Sequence, residues 1–299
     1  MTLLNKRLCL LAALTCLLCC ISFLPSVSQK SAPKSFQSAL LNPSHKNEVS
    51  EIIIESGGQM LTLAHQAFGW TVSDGECLLP AENRLVDGLL NSAIKIRKMY
   101  TILDSSRANQ PSFFTVHFRD DVNLYTIVDF YAVHSLTNRI SFAVEGKNKR
   151  YETNDDFSQY LQTTVSYWAR SALIQLISEP IAFVFQEKGQ KIRRIDENSA
   201  DFSKKLHDLT VLRHGLVLSP ENSAQADFAG FSARLTVSDG QGNTEVISCF
   251  PREDGAFRCE YQWFFAAGGQ GADMVGSLRF AFEISGWTYN RLREIFTQD

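Results

Sequence analysis

The chain lacks several features that would point to common functions. Its 29 basic and 32 acidic residues give a formal net charge of −3, and the basic residues form no long run. Because a nucleic-acid-binding protein carries a clustered basic patch, we expect no nucleic-acid partner. Beyond the N-terminus, no apolar stretch is long enough to cross a bilayer, which argues against a channel or a permease.

Cysteine is scarce in the body of the chain. Of 7 cysteines, only Cys77, Cys249 and Cys259 lie outside the apolar N-terminus. No Cys-x-x-Cys or His-x-x-x-His spacing accompanies them, so the sequence predicts no metal site. A Gly-x-Ser-x-Gly motif is absent, and the one glycine-rich stretch, 268–271, precedes no helix of the phosphate-binding kind. We therefore predict no cofactor and no catalytic residues.

An apolar N-terminal run is the most informative feature that is present. Lys6 and Arg7 lead into the uncharged stretch Leu8–Leu24. Its length lies between the core of a cleaved signal peptide and a membrane-spanning helix. We predict an uncleaved signal anchor over 1–25, with cleavage after Ser28 or a lipoprotein signal as the alternatives. The preceding basic residues favour a cytoplasmic N-terminus, with the body outside the bacterial inner membrane, or secreted if the run is cleaved.

The rest of the chain shows one order of elements twice. Residues 26–41 are rich in Ser and Lys, which predicts a linker. A first unit over 42–176 begins with two strands around Gly57-Gly58, followed by a helix with an apolar stripe. A second unit over 177–299 begins with two strands and a helix that Asp201 can cap. The predicted fold class is α+β, a duplicated β-rich unit of antiparallel strands with one or two helices per repeat. Two unrelated α+β segments are the alternative.

Further elements complete each unit. Strands are predicted at 113–118, 124–130 and 139–144, and at 233–237, 244–250, 256–263 and 278–284. In the first unit, Asp155-Asp156 is predicted to open a helix that continues to Ala172. In the second, a closing helix carries Tyr289, Leu292 and Ile295. The repeats could form two pseudo-symmetric lobes or one extended sheet.

These segments resemble a known bacterial family. The resemblance rests on Asn42-Pro43, Val49-x-x-Ile52-x-Ile54, Gly57-Gly58, Leu61-x-Leu63, Trp70-x-Val72, the 85–90 helix, Tyr151-Glu-Thr153 and the Trp168 region. Together they look like the domain-of-unknown-function family 4340. The resemblance implies an N-terminal membrane anchor, an exported β-rich body and, for some members, an association with ABC transporters of the gliding-motility type. It implies no catalytic residues.

Two cysteines are predicted to face each other. The segments 247–250 and 257–260 flank Pro-Arg-Glu-Asp-Gly, which predicts a hairpin centred near Asp254. This hairpin would place Cys249 directly across from Cys259, close enough to cross-link. In an exported protein the pair is a candidate disulfide, and two free thiols are the alternative.

An aromatic cluster on the same hairpin is a candidate interaction patch. Strand alternation puts Tyr261, Trp263 and Phe265 on one face and Phe264 on the other. Such residues commonly form core. The glycine-rich stretch that follows would leave them near a tip, and an exposed aromatic group there could bind a partner.

Histidines and acid pairs supply no further site. His207 and His214 are seven residues apart, whereas a helical metal-binding pair is spaced by three or four. We expect these histidines in solvent or at a helix end. The acid pairs at 120–121, 155–156 and 253–254 stand at turns or helix starts, where local hydrogen bonding favours Asp.

Three functions follow from these observations. The leading expectation is a non-enzymatic, membrane-anchored exported protein that serves as an accessory or interaction subunit of an envelope complex, such as an ABC transporter. A second is a periplasmic module that binds a ligand or glycan in a cleft between the repeats. An envelope hydrolase whose residues meet only in the fold is the third.

Overall fold

A computed structural model of the chain describes residues 35–66, 69–102, 111–134, 136–146, 149–175, 178–218, 230–266 and 274–297. The predicted anchor at 1–25 lies outside the described residues. So do residues 176 and 177, where the boundary between the two units is predicted. Within the described part the fold is β-rich, with two antiparallel sheets and few helices.

The first sheet has ten strands. They are β1 (Ser35–Ser38), β2 (Glu51–Ser56), β3 (Gln59–Gln66), β4 (Gly69–Ser73), β5 (Leu78–Pro80), β6 (Arg97–Thr101), β7 (Phe114–Arg119), β8 (Leu124–His134), β9 (Arg139–Val144) and β10 (Arg150–Asn154). Their spatial order is β1-β6-β10-β9-β8-β7-β2-β3-β4-β5. Gly57 and Gly58 join β2 to β3 with positive φ angles of 56° and 83°, which glycine adopts without steric cost.

The second sheet has seven strands. They are β11 (Pro180–Glu187), β12 (Arg193–Asp196), β13 (Val217–Leu218), β14 (Ala233–Asp239), β15 (Thr244–Pro251), β16 (Phe257–Ala266) and β17 (Met274–Ile284). Their spatial order is β12-β11-β14-β15-β16-β17-β13. The predicted hairpin between β15 and β16 is confirmed, because Cys249 pairs with Cys259.

In the part of the chain that the structure describes, four α-helices cover one face of each sheet. They are α1 (Asn83–Ile94), α2 (Val165–Trp168), α3 (Phe202–Thr210) and α4 (Gly286–Thr297). Phe183 stacks on Phe202 of α3 with ring centroids 5.0 Å apart, and Phe185 stacks on Phe296 of α4 at 4.8 Å. The buried apolar side chains of both sheets form one continuous core.

Seven strands of the first sheet have the same order as the seven strands of the second sheet. In the first, the hairpin β2–β3 is followed by α1, the strand β6 and then β7 to β10, which pair in succession. In the second, β11–β12 is followed by α3, β13 and then β14 to β17. The orders β3-β2-β7-β8-β9-β10-β6 and β12-β11-β14-β15-β16-β17-β13 therefore correspond strand for strand. The first sheet adds β1, β4 and β5.

Two local predictions are wrong. The linker predicted over 26–41 is wrong for 35–41, because β1 pairs with β6 and Leu41 is buried, and its residues 26–34 lie outside the described residues. The helix predicted from Asp155 to Ala172 is instead a 3₁₀ turn at Ser158–Tyr160 and the four-residue α2. The Asp155 carboxylate accepts from the N–H groups of residues 157 and 158, and the β-branched Thr163 and Thr164 disfavour helix.

The packing of α1 against the 3₁₀ turn leads to a prediction. Gly88 faces the ring of Tyr160, and a Cβ at Gly88 would lie 3.0 Å from Tyr160 Cζ and closer still to the hydroxyl. We expect Gly88→Ala to lower the free energy of unfolding by about 1–3 kcal/mol, because overpacking outweighs the gain in helix propensity. Urea denaturation measures the change.

The exposed Asn91→Ala on the same helix is the matched control, and it should leave stability unchanged or slightly higher. Adding Tyr160→Phe to Gly88→Ala should recover part of the loss by removing the closest atom. Equal stability of Gly88→Ala and the wild type would contradict the close contact.

Candidate functional site

The segment that joins the two sheets is hydrogen-bonded to the first sheet. Residues 169–175 leave α2 and run past the end of β5. The Arg170 N–H donates to the carbonyl of Pro80 at 2.9 Å, and the Glu82 N–H donates to the carbonyl of Trp168 at 2.7 Å. These bonds extend the edge of the first sheet by one short strand-like segment.

The same segment is hydrogen-bonded to the second half of the chain. The Leu173 N–H donates to the carbonyl of Leu212 at 3.0 Å, and the His214 N–H donates to the carbonyl of Ser171 at 2.9 Å. Strand β5 also lies beside β17. The connection between the halves is thus a packed, hydrogen-bonded junction.

A buried carboxylate holds the end of this junction. Glu245 on β15 has no exposed surface, and its Oε1 and Oε2 both accept from the Gln175 N–H, at 3.1 and 3.0 Å. The Gln175 side-chain amide donates in turn to the carbonyls of Arg170, at 2.9 Å, and Ala172. Because a buried carboxylate is costly without such partners, this bond fixes where the connecting segment can lie.

Tyr261 and Trp263 belong to this junction and not to a surface patch. Both are 1% exposed, and Tyr261 stacks on Phe280 with ring centroids 4.1 Å apart. Phe264 and Phe265 are half-buried, and Phe265 packs against the core. The predicted exposed patch is therefore wrong for Tyr261 and Trp263, because β16 lies between β15 and β17 and turns the face that carries them inward.

The hydroxyl of Tyr261 lies near the buried charges. Burial raises its pKa well above the ordinary value, and the Glu245 carboxylate raises it further. The Arg170 guanidinium acts in the opposite direction. A carboxylate, a phenol and a guanidinium thus meet where the two halves of the chain join.

His214 is also buried at the junction. It is 8% exposed, its ring stacks on Phe282 at 4.6 Å, and its Nε2 lies 2.7 Å from the Arg170 carbonyl oxygen. Burial lowers the pKa of His214 below its ordinary value. The expected solvent or helix-end position is therefore wrong for His214, whereas His207 lies exposed in the last turn of α3.

The predicted cysteine pair lies in the core of the second sheet. Cys249 and Cys259 are 1% and 0% exposed, with their Sγ atoms 3.1 Å apart. Both are present as thiols. The disulfide itself stays a prediction.

The acid pairs occupy turns, as their positions in the sequence predict. The Asp120 carboxylate accepts from the N–H groups of Val122 and Asn123 and from the Tyr125 hydroxyl. These bonds hold the pKa of Asp120 well below its usual range and raise that of Tyr125 to about 12. Asp156 forms ion pairs with Lys95 and Arg97. The Asp120 and Asp156 carboxylates therefore have structural partners, which are local for Asp120 and distant in sequence for Asp156.

Among the cavities lined by described residues, three approach or reach the size of ligand sites. One of ≈ 420 Å³ lies beside the β2–β3 turn, one of ≈ 300 Å³ lies between Trp70 and α1, and one of ≈ 250 Å³ lies between α3 and α4. Each is lined by residues of one half only. Over the described ranges, no group of three or more His, Cys, Asp or Glu side chains is placed to hold a metal ion, and no helix is long and apolar enough to span a membrane.

A group of arginines and tyrosines lies on the outer face of the first sheet, away from the helices. The Arg150 guanidinium is 3.5 Å from the centre of the Tyr131 ring, and that of Arg139 is 4.7 Å from the centre of the Tyr100 ring. All four side chains are half-buried. We call these residues the Arg–Tyr patch.

Sequence inspection missed the Arg–Tyr patch. Its residues belong to β6, β8, β9 and β10, which are neighbours only because of the sheet order. Alternation within each strand predicts that each of these side chains points outward. This alternation is the sequence feature from which their exposure could have been predicted. The pairing of the strands was the missing information.

A first prediction concerns the buried carboxylate. Glu245→Gln keeps one oxygen acceptor but replaces the other, which also accepts from the Gln175 N–H, with an amide NH2 donor, so we expect the free energy of unfolding to fall by about 1–3 kcal/mol in urea denaturation. Glu253→Gln, at an exposed position in the β15–β16 turn, is the matched control and should change little. Equal stability of the two variants would contradict the role assigned to Glu245.

A second prediction concerns pH. Because the pKa of His214 is lowered on folding, the unfolded chain binds the proton more readily, and stability falls as pH drops below the ordinary value of 6.5. The wild type should therefore lose more stability between pH 7.5 and pH 5 than His214→Gln does. His207→Gln should keep the wild-type pH dependence, and thermal unfolding at a series of pH values measures all three. A His214→Gln profile parallel to that of the wild type would refute this assignment.

Comparison of the chain with protein-family models, with curated proteins and with solved structures finds no match. The resemblance to the domain-of-unknown-function family 4340 remains a hypothesis drawn from sequence motifs. Function is therefore inferred from the arrangement of the residues themselves.

Proposed function

We propose that the chain is a non-enzymatic, membrane-anchored exported protein that serves as an accessory or interaction subunit of an envelope complex, such as an ABC transporter. The proposed location is the bacterial inner membrane, with a single pass and the body outside. The observation that carries the proposal is the Arg–Tyr patch on the uncovered face of the ten-stranded sheet.

The outer face of this sheet has the size of a protein interface. Ten strands spaced by 4.8 Å span roughly 43 Å, and strands of five or six residues are about 17–20 Å long. Their product is about 800 Å², which is the area that each partner contributes to an interface of standard size. One face of this sheet can therefore supply a complete binding surface.

The chemistry of the Arg–Tyr patch suits a protein partner. Arginine and tyrosine are enriched at interface hot spots because each combines a large contact area with directional polar groups. Arg139 lies 3.7 Å from Glu152 in an ion pair, and the Lys98 ammonium lies 5.3 Å from the centre of the Tyr100 ring. The patch is thus rich in basic groups, and we propose a partner surface that carries carboxylates and aromatic rings.

The position of the patch supports a partner in the membrane. Ser35 of β1, the first residue that the structure describes, pairs directly with Tyr100 of the patch. Eleven residue steps separate Leu24, at the end of the apolar run, from Ser35. A fully extended chain of that length spans about 40 Å at most. If Leu8–Leu24 stays in the bilayer, the patch is therefore held close to the membrane.

The strand order supports the proposed internal duplication. Seven strands and one helix of each half occur in the same chain order, apart from the inserted β4 and β5, and the seven strands pair in the same order, which two unrelated segments would rarely do. We propose that the halves are diverged copies of one α+β unit. The described residues of the junction between them are packed and hydrogen-bonded, so we favour the interaction role over the binding module.

Isolation of the full-length protein from membranes tests the proposed function. After solubilisation in mild detergent, the wild type should co-purify in constant ratio with membrane permease and ATPase subunits identified by mass spectrometry. The double variant Arg139→Ala, Arg150→Ala should recover about tenfold less of these subunits, because interface hot spots carry most of the binding energy. Its melting temperature checks that the fold is intact.

Lys191→Ala, Arg194→Ala is the matched control, because it removes two positive charges from exposed positions in the second half. It should bind like the wild type. Recovery of the monomer alone would contradict the interaction role. In the same sample, an intact mass that lacks residues 1–28 would contradict the anchor.

A further inference from the structure

We propose that Cys249 and Cys259 form a cross-strand disulfide that closes the β15–β16 hairpin when the chain folds in an oxidising compartment. As the S–S bond forms, the two thiols lose two protons and two electrons. A disulfide such as oxidised glutathione accepts them and leaves as two thiols, so the exchange is balanced. The occurrence of the bond in cells rests on the export step of the proposed function.

The hydrogen-bond pattern places the cysteines at the closest kind of strand pair. The Arg252 N–H donates to the Ala256 carbonyl at 2.9 Å, which makes these residues a hydrogen-bonded pair. Hydrogen-bonded and non-hydrogen-bonded pairs alternate along an antiparallel ladder. Cys249 and Cys259 lie three pairs away from Arg252 and Ala256, so they form a non-hydrogen-bonded pair. The Cys249 carbonyl accordingly accepts from Ser232, on the opposite side.

This kind of pair fits a disulfide. The Cα atoms of a non-hydrogen-bonded pair lie about 4.5 Å apart, inside the range of about 4.4–6.8 Å that disulfides span. The Sγ atoms already approach to 3.1 Å with both thiols reduced. A rotation of the two side chains is therefore enough to form the bond, and the strands need not separate.

The hairpin also makes the pairing specific. Apart from this pair, the described residues include one other cysteine, Cys77, which is buried beside β5 in the other half. The two partners are ten residues apart on one hairpin, so they meet as soon as the hairpin forms. Pairing of Cys249 with Cys259 is thus favoured early in folding.

The burial of the two cysteines determines at which stage of folding thiol–disulfide exchange can occur. Neither thiol is accessible in the folded protein, and burial raises the pKa of Cys259 well above its ordinary value, which disfavours the reactive thiolate. Exchange therefore takes place on the unfolded chain or the newly formed hairpin. Once the sheet and α4 have packed, the core shields the disulfide from small-molecule reductants.

Refolding the full-length chain from denaturant tests the proposal directly. The chain is refolded with oxidised and reduced glutathione, the remaining thiols are alkylated in denaturant so that buried ones react, and the protein is digested with trypsin without reduction. Cleavage after Arg234, Arg252, Arg258 and Arg279 releases Cys249 in peptide 235–252 and Cys259 in peptide 259–279. A cross-linked pair of these peptides, lost on reduction, is the expected product, and alkylation of both cysteines would overturn the proposal.

Variants and stability separate this bond from other pairings. Cys77→Ser should give the same cross-linked pair, whereas Cys249→Ser should leave Cys259 alkylated. A link between Cys77 and either hairpin cysteine in the wild type would count against the proposal. The oxidised wild type should melt about 5–10 °C above the same protein refolded under reducing conditions, because the bond restricts the unfolded chain.

Protein taken from cells distinguishes the disulfide from the export step. If the peptides are cross-linked after refolding and also in the cellular protein, both proposals are supported. Cross-linking after refolding, with both cysteines alkylated in the cellular protein, supports the disulfide and contradicts export to an oxidising compartment. If the peptides are not cross-linked after refolding, the disulfide proposal is overturned. The proposed anchor is then tested separately, by the intact mass of the protein from membranes.

Discussion

The buried hydrogen bonds between Glu245 and Gln175 constrain the rest of the structure. A carboxylate with no exposed surface is tolerated only where donors replace its lost water, and both of its oxygens accept the same backbone N–H. That N–H belongs to the segment between the sheets. The segment is therefore held at one place against the second sheet, and its bonds to Pro80 and Leu212 fix it to both halves of the chain.

A fixed junction determines where a partner could bind. Because the core runs without interruption from one sheet to the other, the surface between the halves is occupied. Binding surface is then available on the outer sheet faces, and the first sheet offers the wider one. Strand β1 lies at the edge of this sheet, where Ser35 pairs with Tyr100 of the Arg–Tyr patch.

Features set by local sequence could be predicted, and features set by distant contacts could not. The pairing of Cys249 with Cys259 follows from one short hairpin, and the predicted strands agree with the observed ones to within a few residues. The helix predicted from Asp155 failed because its apolar spacing also suits a chain that turns twice while burying the same side chains. Phe157 and Trp168 are both buried despite that failure.

The candidate site was less predictable than the fold. Glu245 shares a face of β15 with the buried Ile247 and Cys249. A charged residue on an apolar strand face is visible in the sequence and indicates a buried polar contact. Its partner, Gln175, lies 70 positions away, and nothing in the sequence around Gln175 indicates that its N–H binds a buried carboxylate. The Arg–Tyr patch likewise needed the sheet order, because Tyr100 and Tyr131 come from strands that are not consecutive.

The strands that lack a counterpart in the second sheet explain how two similar units share one core. Strands β4 and β5 extend the first sheet past the hairpin β2–β3, and β5 reaches β17 of the second sheet. The end of β5 also supplies the Pro80 carbonyl that binds the connecting segment. Under the proposed duplication, a copied unit would expose the edge of β3, and an exposed edge invites pairing with other chains. The added strands cover that edge and at the same time build the contact that joins the halves.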